Sequence, residues 1–206
     1  MESSTSVTAI PNSPAPCFLE ALDARRSVPA RQLAAPGPDD AQLLRMLASA
    51  VRVPDHGKRV PFRFVAISGD ARDALGEAVA ARGLALRPEA GQAAVDKDRA
   101  RFSHAPLVLT VVARLDPEDS AIPEQERLLS AGSVCFALLQ AAQGMGFGAT
   151  WLTGWPAHDP GVQALLGLDA DERIAGFIHV GTAQAEPRER GRPDPAQLLQ
   201  RWTPPA

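Results

Sequence analysis

The chain has no tyrosine, only two cysteines, and no apolar run near the roughly 20 residues that a membrane-spanning helix needs. Each of these absences narrows the field. With a net charge of −3, a pI near 5.8 and no basic stripe interleaved with aromatics, the composition argues against nucleic acid as the main partner. Cys17 and Cys135 stand far apart, and no CxxC or His–Cys cluster accompanies them. That argues against a structural zinc site and favours a reducing compartment. No Gly-x-Ser-x-Gly is present and both cysteines lie in apolar or low-complexity surroundings, so no side chain stands out as a committed nucleophile. Met1 to Pro16 carries no Lys or Arg and lacks the basic start and apolar centre of a secretory signal. These residues are expected to form a disordered leader on a cytoplasmic protein.

What is present is the composition of a soluble globular protein, with 45% hydrophobic and 22% charged residues. At 206 residues there is room for one domain with a full core, expected over residues 17–206. A short helix is predicted over Phe18 to Asp23, running into Arg25-Arg26-Ser27 and ended by Pro29. Asp39 or Asp40 caps a second helix whose face of Leu43, Leu47, Ala50 and Val51 has helical spacing, and Pro54 stops it. Phe62 to Ile67 alternates as a half-buried strand. Helices follow over Asp70 to about Arg82 and between Gly91 and Phe102. The continuous β-branched run from Pro106 to Leu115 predicts a central strand buried on both faces.

The longest helix is expected from about Pro123 to Gln143. Its apolar stripe and its small residues, Ser130 to Ser133, suit either an intrachain core or a subunit interface. A strand over Ala149 to Thr153, a short helix over Pro160 to Leu166 and a last strand over Ile174 to Val180 complete the pattern. The proline-rich tail from Thr182, with the charged run Arg188-Glu189-Arg190, cannot bury a core and is expected to pack as an arm on another surface. Gly144-Met145-Gly146-Phe147-Gly148 invites comparison with a dinucleotide loop. It follows a helix and opens a strand, however, the reverse of the order that such a loop requires.

Two segments carry the chemistry. Arg25-Arg26-Ser27 offers two guanidinium groups and a hydroxyl, a set suited to a phosphate dianion, with charge-assisted bonds worth about 1.5–3 kcal/mol each. Val53-Pro54-Asp55-His56-Gly57-Lys58 places an imidazole and an ammonium beside a proline-ended helix. Taken singly, each has a plain explanation. Arginines are favoured at helix C-termini by the macrodipole, and Asp-His-Gly makes an ordinary turn.

The order of motifs separates these readings. Arg25-Arg26-Ser27 is followed by Val53-Pro54-Asp55-His56, Pro61-Phe62-Arg63-Phe64, Ala105-Pro106-Leu107-Val108 and Ser130-Ala131-Gly132. Gly146-Phe147-Gly148 before Trp151, and Gly176-Phe177-Ile178-His179-Val180-Gly181-Thr182, complete the series. From Phe18 to Trp202 the chain resembles the FMN-dependent nitroreductase family, in particular its compact YdjA-like branch.

The resemblance implies an α+β fold, a central mostly antiparallel sheet flanked by helices, in an intertwined homodimer with FMN in the cleft between subunits. Arg25 and Ser27 would hold the FMN phosphate, and Arg26 would lie near the ribityl chain or the pyrimidine edge. His56 comes from the segment flanking the cofactor, in the same subunit or its partner. Trp151-Leu152-Thr153 would line the isoalloxazine, with backbone amides, that of Gly154 among them, aimed at N5 and O4. Arg26, Lys58 and Arg31 are the candidates for a cation near N1 and O2. The implied activity takes hydride from NAD(P)H and reduces nitroaromatic, quinone or similar acceptors by a ping-pong mechanism, with flavin N5 as redox centre and no catalytic side chain. Three departures bear on the flavin. Val60 stands where relatives often carry an amide, Pro29 where many carry a basic residue, and Leu152 where close relatives can have arginine. They leave open a flavin-binding protein without significant turnover, or a specialised FMN enzyme of the same fold.

Overall fold

The computed structural model describes residues 16–205. The expected leader therefore lies outside the described residues, except that Pro16 opens the first helix, α1 (Pro16–Ala24). Helices α2 (Asp40–Ala50), α3 (Asp70–Leu86), α4 (Gln92–Arg99), α5 (Glu124–Gly144), α6 (Pro160–Leu165) and α7 (Pro195–Leu198) alternate irregularly with five strands. These are β1 (Leu33–Ala34), β2 (Phe62–Ser68), β3 (Leu107–Arg114), β4 (Gly148–Leu152) and β5 (Glu172–Ala183).

Local chemistry accounts for the better-defined ends. Asp39 caps α2 by accepting the Gln42 amide at 2.7 Å, while the Gln42 side chain accepts the Asp39 amide at 3.0 Å. This capping box satisfies two donors that a helix start leaves open. The helix ends at Ala50, earlier than Pro54 alone would require. The first helix also ends early, at Ala24. Arg25 to Ser27 lie outside it because the next residue is drawn to the sheet, with the Val28 amide donating to Ala149 O at 3.0 Å.

All strand pairs are antiparallel, and β5 is the hub. Over Phe177–Val180 it pairs simultaneously with β3 and β4, which must therefore take opposite edges. Its last residues, Thr182 and Ala183, pair with Ala34 and Leu33, and β2 completes the sheet beyond β3. This two-residue pairing explains why β5 runs further than its apolar pattern suggests: β1 is too short to read from periodicity.

One face of the sheet packs on α2 and α5 through Met46, Leu109, Val134, Leu138, Ile178 and Val180. The other packs on α3 and α6 through Val79, Phe102, Val108, Val162 and Phe177. Helices on both faces bury β3 throughout except at Arg114, as its unbroken apolar run predicts. A β-bulge at Ala175 interrupts the β3–β5 register, since Gly176 opposes Val111 while Ile174 opposes Val112. On the α3 side, His179 is fully buried against Phe102 and neither ring nitrogen has a partner among the described residues. Burial, assisted by His104 and Arg101, pushes its pKa down to about 4, so the ring is neutral at pH 7.

The start of β5 is tied down by charge. Glu172 is buried and takes both arms of the Arg63 guanidinium at 2.6 Å, the Asp169 amide at 3.0 Å and Arg114 at 3.4 Å. The bidentate bond from Arg63 is the main reason its pKa falls to about 2. A depressed carboxylate contributes stability that is complete above its unfolded pKa, near 4.5, and is lost as pH falls through about 2. Glu172→Gln should therefore cost about 2–4 kcal/mol at pH 7, because two guanidinium groups lose a buried partner. In urea titrations the difference from wild type should shrink as pH is lowered from about 4.5 towards 2.

Candidate functional site

Leaving α1, the chain turns so that the Arg25 guanidinium donates to Ser27 Oγ at 3.3 Å. Arg26 points elsewhere. It donates to Asp23 O at 2.7 Å and pairs with Glu189, which arrives on the C-terminal arm. Arg25, Glu189, Arg192, Asp23 and Leu22 enclose a cavity of about 380 Å³. The Arg25 pKa is lowered, first by burial and then by the repulsion of Arg192, Arg190 and Arg26, with Glu189 opposing them. The arm thus brings two further cations to the predicted Arg25–Ser27 segment. In the sequence, Arg190 reads only as part of a charged run and Arg192 draws no notice. The available signal is the Arg190-Gly191-Arg192 spacing, which carries meaning only once the arm is known to fold back.

The second group sits where β4 ends. Trp151 lies across Gly176, where a Cβ would run into its ring, and donates Nε1–H to the Ala175 carbonyl at 3.2 Å. The bulge in β5 thus supplies both the unpaired carbonyl and the bare backbone that seat this indole. After Leu152 the chain leaves the sheet at Thr153 and Gly154. Gly154 adopts φ 75°, a conformation that glycine takes without penalty. Among the described residues neither the Thr153 nor the Gly154 amide finds an acceptor, so both are available to a ligand.

Against this turn lies Arg101, whose Nη1 would be 3.2 Å from a Cβ at position 154. Asp98, buried in the wall, holds Arg101 at 3.0 Å and also accepts Trp155 Nε1 at 3.0 Å and Arg87 at 3.2 Å. Arg101 thus puts by the turn a cation that the sequence does not single out; the sequence candidates, for a cation near N1 and O2, are Arg26, Lys58 and Arg31. Of those three, Arg26 is engaged with the arm, and Lys58 and Arg31 are exposed on short 3-10 turns. Beside the turn opens a cavity of about 950 Å³, lined by Trp151, Thr153, Leu128, Gly132, His158 and Arg173 among others.

The third group is the loop after α2. Asp55 accepts the Arg59 and Val60 amides at 3.0 and 2.9 Å, closing a tight loop in which Gly57, Lys58 and Val60 have φ of 68°, 54° and 49°. Arg59 and Arg127 both grip Asp119, and Ser130 Oγ donates to Pro54 O at 2.8 Å, so the loop is fastened to α5 and the segment before it. His56 Nδ1 lies 2.7 Å from Glu126 Oε2, and the side chain is exposed. Cys135 takes no part in any of the three groups. It is buried in α5 and its pKa is pushed up to about 12, which makes it an inert thiol.

Within one chain, then, the residues expected together are distributed. Arg25 and Ser27 meet at the arm, Trp151, Leu152, Thr153 and Gly154 meet at the β4 turn, and His56 and Val60 lie on the loop, at a separate small cleft of about 10 Å³. Several large apolar side chains are exposed: Leu128, Leu129 and Phe136 on α5, Phe18 and Leu19 on α1, and Leu198, Leu199 and Trp202 on the arm.

Among the described residues Val60 carries the one β-branched side chain with positive φ, a conformation that costs about 1–2 kcal/mol. Val60→Gly should raise the unfolding free energy of the ligand-free protein by about 1 kcal/mol in urea titrations. A loss of stability would show that the side chain makes a compensating contact.

Residues 22–182 match the family model described as the nitroreductase family. The Escherichia coli (strain K12) protein YdjA, named as an NAD(P)H nitroreductase, is 37% identical over 166 residues, which cover 81% of this chain and 88% of that protein. The nitroreductase-like family protein from Bacillus cereus superposes with a TM-score of 0.74 at 22% identity, covering 93% of this chain and 98% of the other. A nitroreductase from Desulfovibrio desulfuricans, solved with FMN, superposes with a TM-score of 0.70 at 21% identity, covering 93% and 100% of the two chains.

Proposed function

Because the chain belongs to the nitroreductase family, we propose that it is an FMN-dependent oxidoreductase that takes hydride from NAD(P)H and reduces nitroaromatic, quinone or similar electrophilic acceptors. The observation that carries this reading is that Arg25, bonded to the Ser27 hydroxyl, meets Arg192 at one cavity, with Arg190 and Arg26 near enough to repel it. Among the described residues Arg25 donates only to a neutral hydroxyl, and a phosphate monoester carrying close to two negative charges fits the cationic field around it.

On this reading Arg25, Ser27 and Arg192 hold the phosphate, with Arg190 adding field. Thr153 and Gly154 offer amides to the heteroatom edge of the ring, Trp151 and Leu152 line it, and Arg101 supplies the nearby cation. Bound FMN supplies the two-electron chemistry, accepting hydride and reducing the acceptor. The protein binds, orients and polarises, and no side chain needs to form a covalent bond. A single cleft beside Thr153 that receives donor and acceptor in turn would give ping-pong kinetics. The exposed apolar residues on α5, α1 and the arm support a homodimer, in which the partner would bring its His56–Val60 loop to complete each cleft.

Two measurements test this. Arg25→Ala should weaken FMN binding by about 2 kcal/mol, roughly 30-fold, while leaving riboflavin affinity unchanged, because only FMN carries the phosphate. Equal losses for both ligands would refute the phosphate assignment. Purified protein should also be yellow and should bleach on anaerobic addition of NADH or NADPH. A yellow protein that neither nucleotide bleaches would instead be a flavin-binding protein without turnover.

A further inference from the structure

Beyond Gln184, the arm is joined to the rest of the described chain by a single side-chain polar contact, the Arg26–Glu189 ion pair. Gln184 itself is fixed by its amide, which donates to Gln32 O at 2.9 Å. Glu189 is also the organising group of the arm. Its Oε1 accepts the Arg190 amide at 2.9 Å and Arg192 Nη2 at 2.9 Å, while Oε2 takes Arg26. One carboxylate thus spans two arginines from different parts of the chain, and it lines the same cavity as Arg25. Arg25 and Arg192 line this cavity with Asp23 and Glu189, and Arg190 and Arg26 lie near enough to repel Arg25.

Resting on the assignment of Arg25 and Arg192 to the FMN phosphate, we infer that Glu189 is a built-in stand-in for that phosphate. It latches the arm over the cradle before the cofactor arrives, and it yields Arg192 to the phosphate when the cofactor binds. The chemistry matches on three counts. A carboxylate and a phosphate oxygen edge make the same planar, bidentate demand on guanidinium. The Arg26–Glu189 and Arg192–Glu189 pairs are partly exposed, with side-chain accessibilities of 28–48%. Such exposed pairs are weak, so a dianion can displace them. Without Glu189, mutual repulsion among Arg25, Arg26, Arg190 and Arg192 would push the arm away from the body until a phosphate neutralised it. The latch therefore moves the cost of ordering the arm from the binding step to folding, as preorganisation does.

Hydrogen exchange of full-length protein, followed by mass spectrometry over residues 185–194, tests this. Wild type and Glu189→Gln are compared in three states: stripped of flavin, saturated with FMN, and saturated with riboflavin. In the flavin-free state the segment should exchange about three- to fivefold faster in Glu189→Gln, the effect of losing weak, exposed ion pairs. FMN should slow both proteins to the same level, and riboflavin should leave the difference in place. Arg26→Gln breaks the same pair from the other side and should likewise speed exchange in the flavin-free state.

Equal exchange in flavin-free wild type and both variants would overturn the latch while leaving the phosphate assignment intact. FMN protecting no better than riboflavin would overturn the phosphate assignment, and the latch with it. A Glu189→Gln arm that FMN cannot slow would show that Glu189 is still needed after the cofactor has bound, and that it is not displaced.

Discussion

Strand β5 is the member on which the rest of the molecule is assembled. Both of its edges are occupied over Phe177–Val180, so β3 and β4 lie at fixed separations on either side, and each helix layer packs on a surface defined by its pleat. A strand paired on both edges cannot slip by one residue without turning Ile178 and Val180 out of one core and Phe177 out of the other. Its two ends are held by different means. The start depends on Glu172 clasped by Arg63 and Arg114, and the finish on two residues of β1 and the Thr182 hydroxyl, which donates to Pro36 O at 2.7 Å. The strand also directs the arm, because the chain beyond Ala183 leaves along the edge where Arg25 to Val28 run.

The bulge at Ala175 links this framework to the site. By slipping the register once, it leaves one carbonyl unclaimed by the ladder, and the Trp151 indole takes it. Trp151 is thereby held flat over Gly176, at the mouth of the large cavity and next to the free amides of Thr153 and Gly154. Asp98 performs the corresponding task on the opposite side. It collects Arg87, Arg101 and Trp155, so that a cation and the wall of the turn share one buried anchor. The glycine at position 83 is needed for the same reason: a Cβ there would lie 2.7 Å from Asp98 Oδ2.

Charge is organised differently at the two ends of the proposed cofactor site. At the β4 turn two guanidinium groups, Arg87 and Arg101, share one buried carboxylate, Asp98. At the cradle, cations outnumber carboxylates and are held in place by covalent connectivity and by Glu189. On the proposed reading, the excess suits one place to a strong anion, and the shared buried carboxylate suits the other to a neutral or weakly charged ring.

Much of the fold was legible because its elements are long and strongly patterned. The unbroken apolar run of β3, the stripe on α5 and the Asp39 capping residue specify those elements locally, whatever the remainder of the chain does. Elements that escaped the sequence reading are short or borrowed. Strand β1 exists only because β5 passes beside it, and the last residues of β5 are extended for the same reason. Of the proposed site, Arg25-Arg26-Ser27 was legible as a donor set suited to a phosphate, whereas Trp151–Gly154 drew notice only through the family resemblance. Arg101, Arg190 and Arg192 were not legible, because a guanidinium in a loop or tail looks like any solvated charge until the fold brings it to a partner. The split of Arg25 from Arg26, one to Ser27 and one to Glu189, was equally hidden, since neighbours in sequence carry identical chemistry and only the path of the returning arm distinguishes them. Sequence by itself therefore determined which segments form helix and strand and which motifs could meet a phosphorylated ligand. Tertiary structure decided which cations converge, because Coulombic fields depend on distances that span the whole chain and leave no local trace.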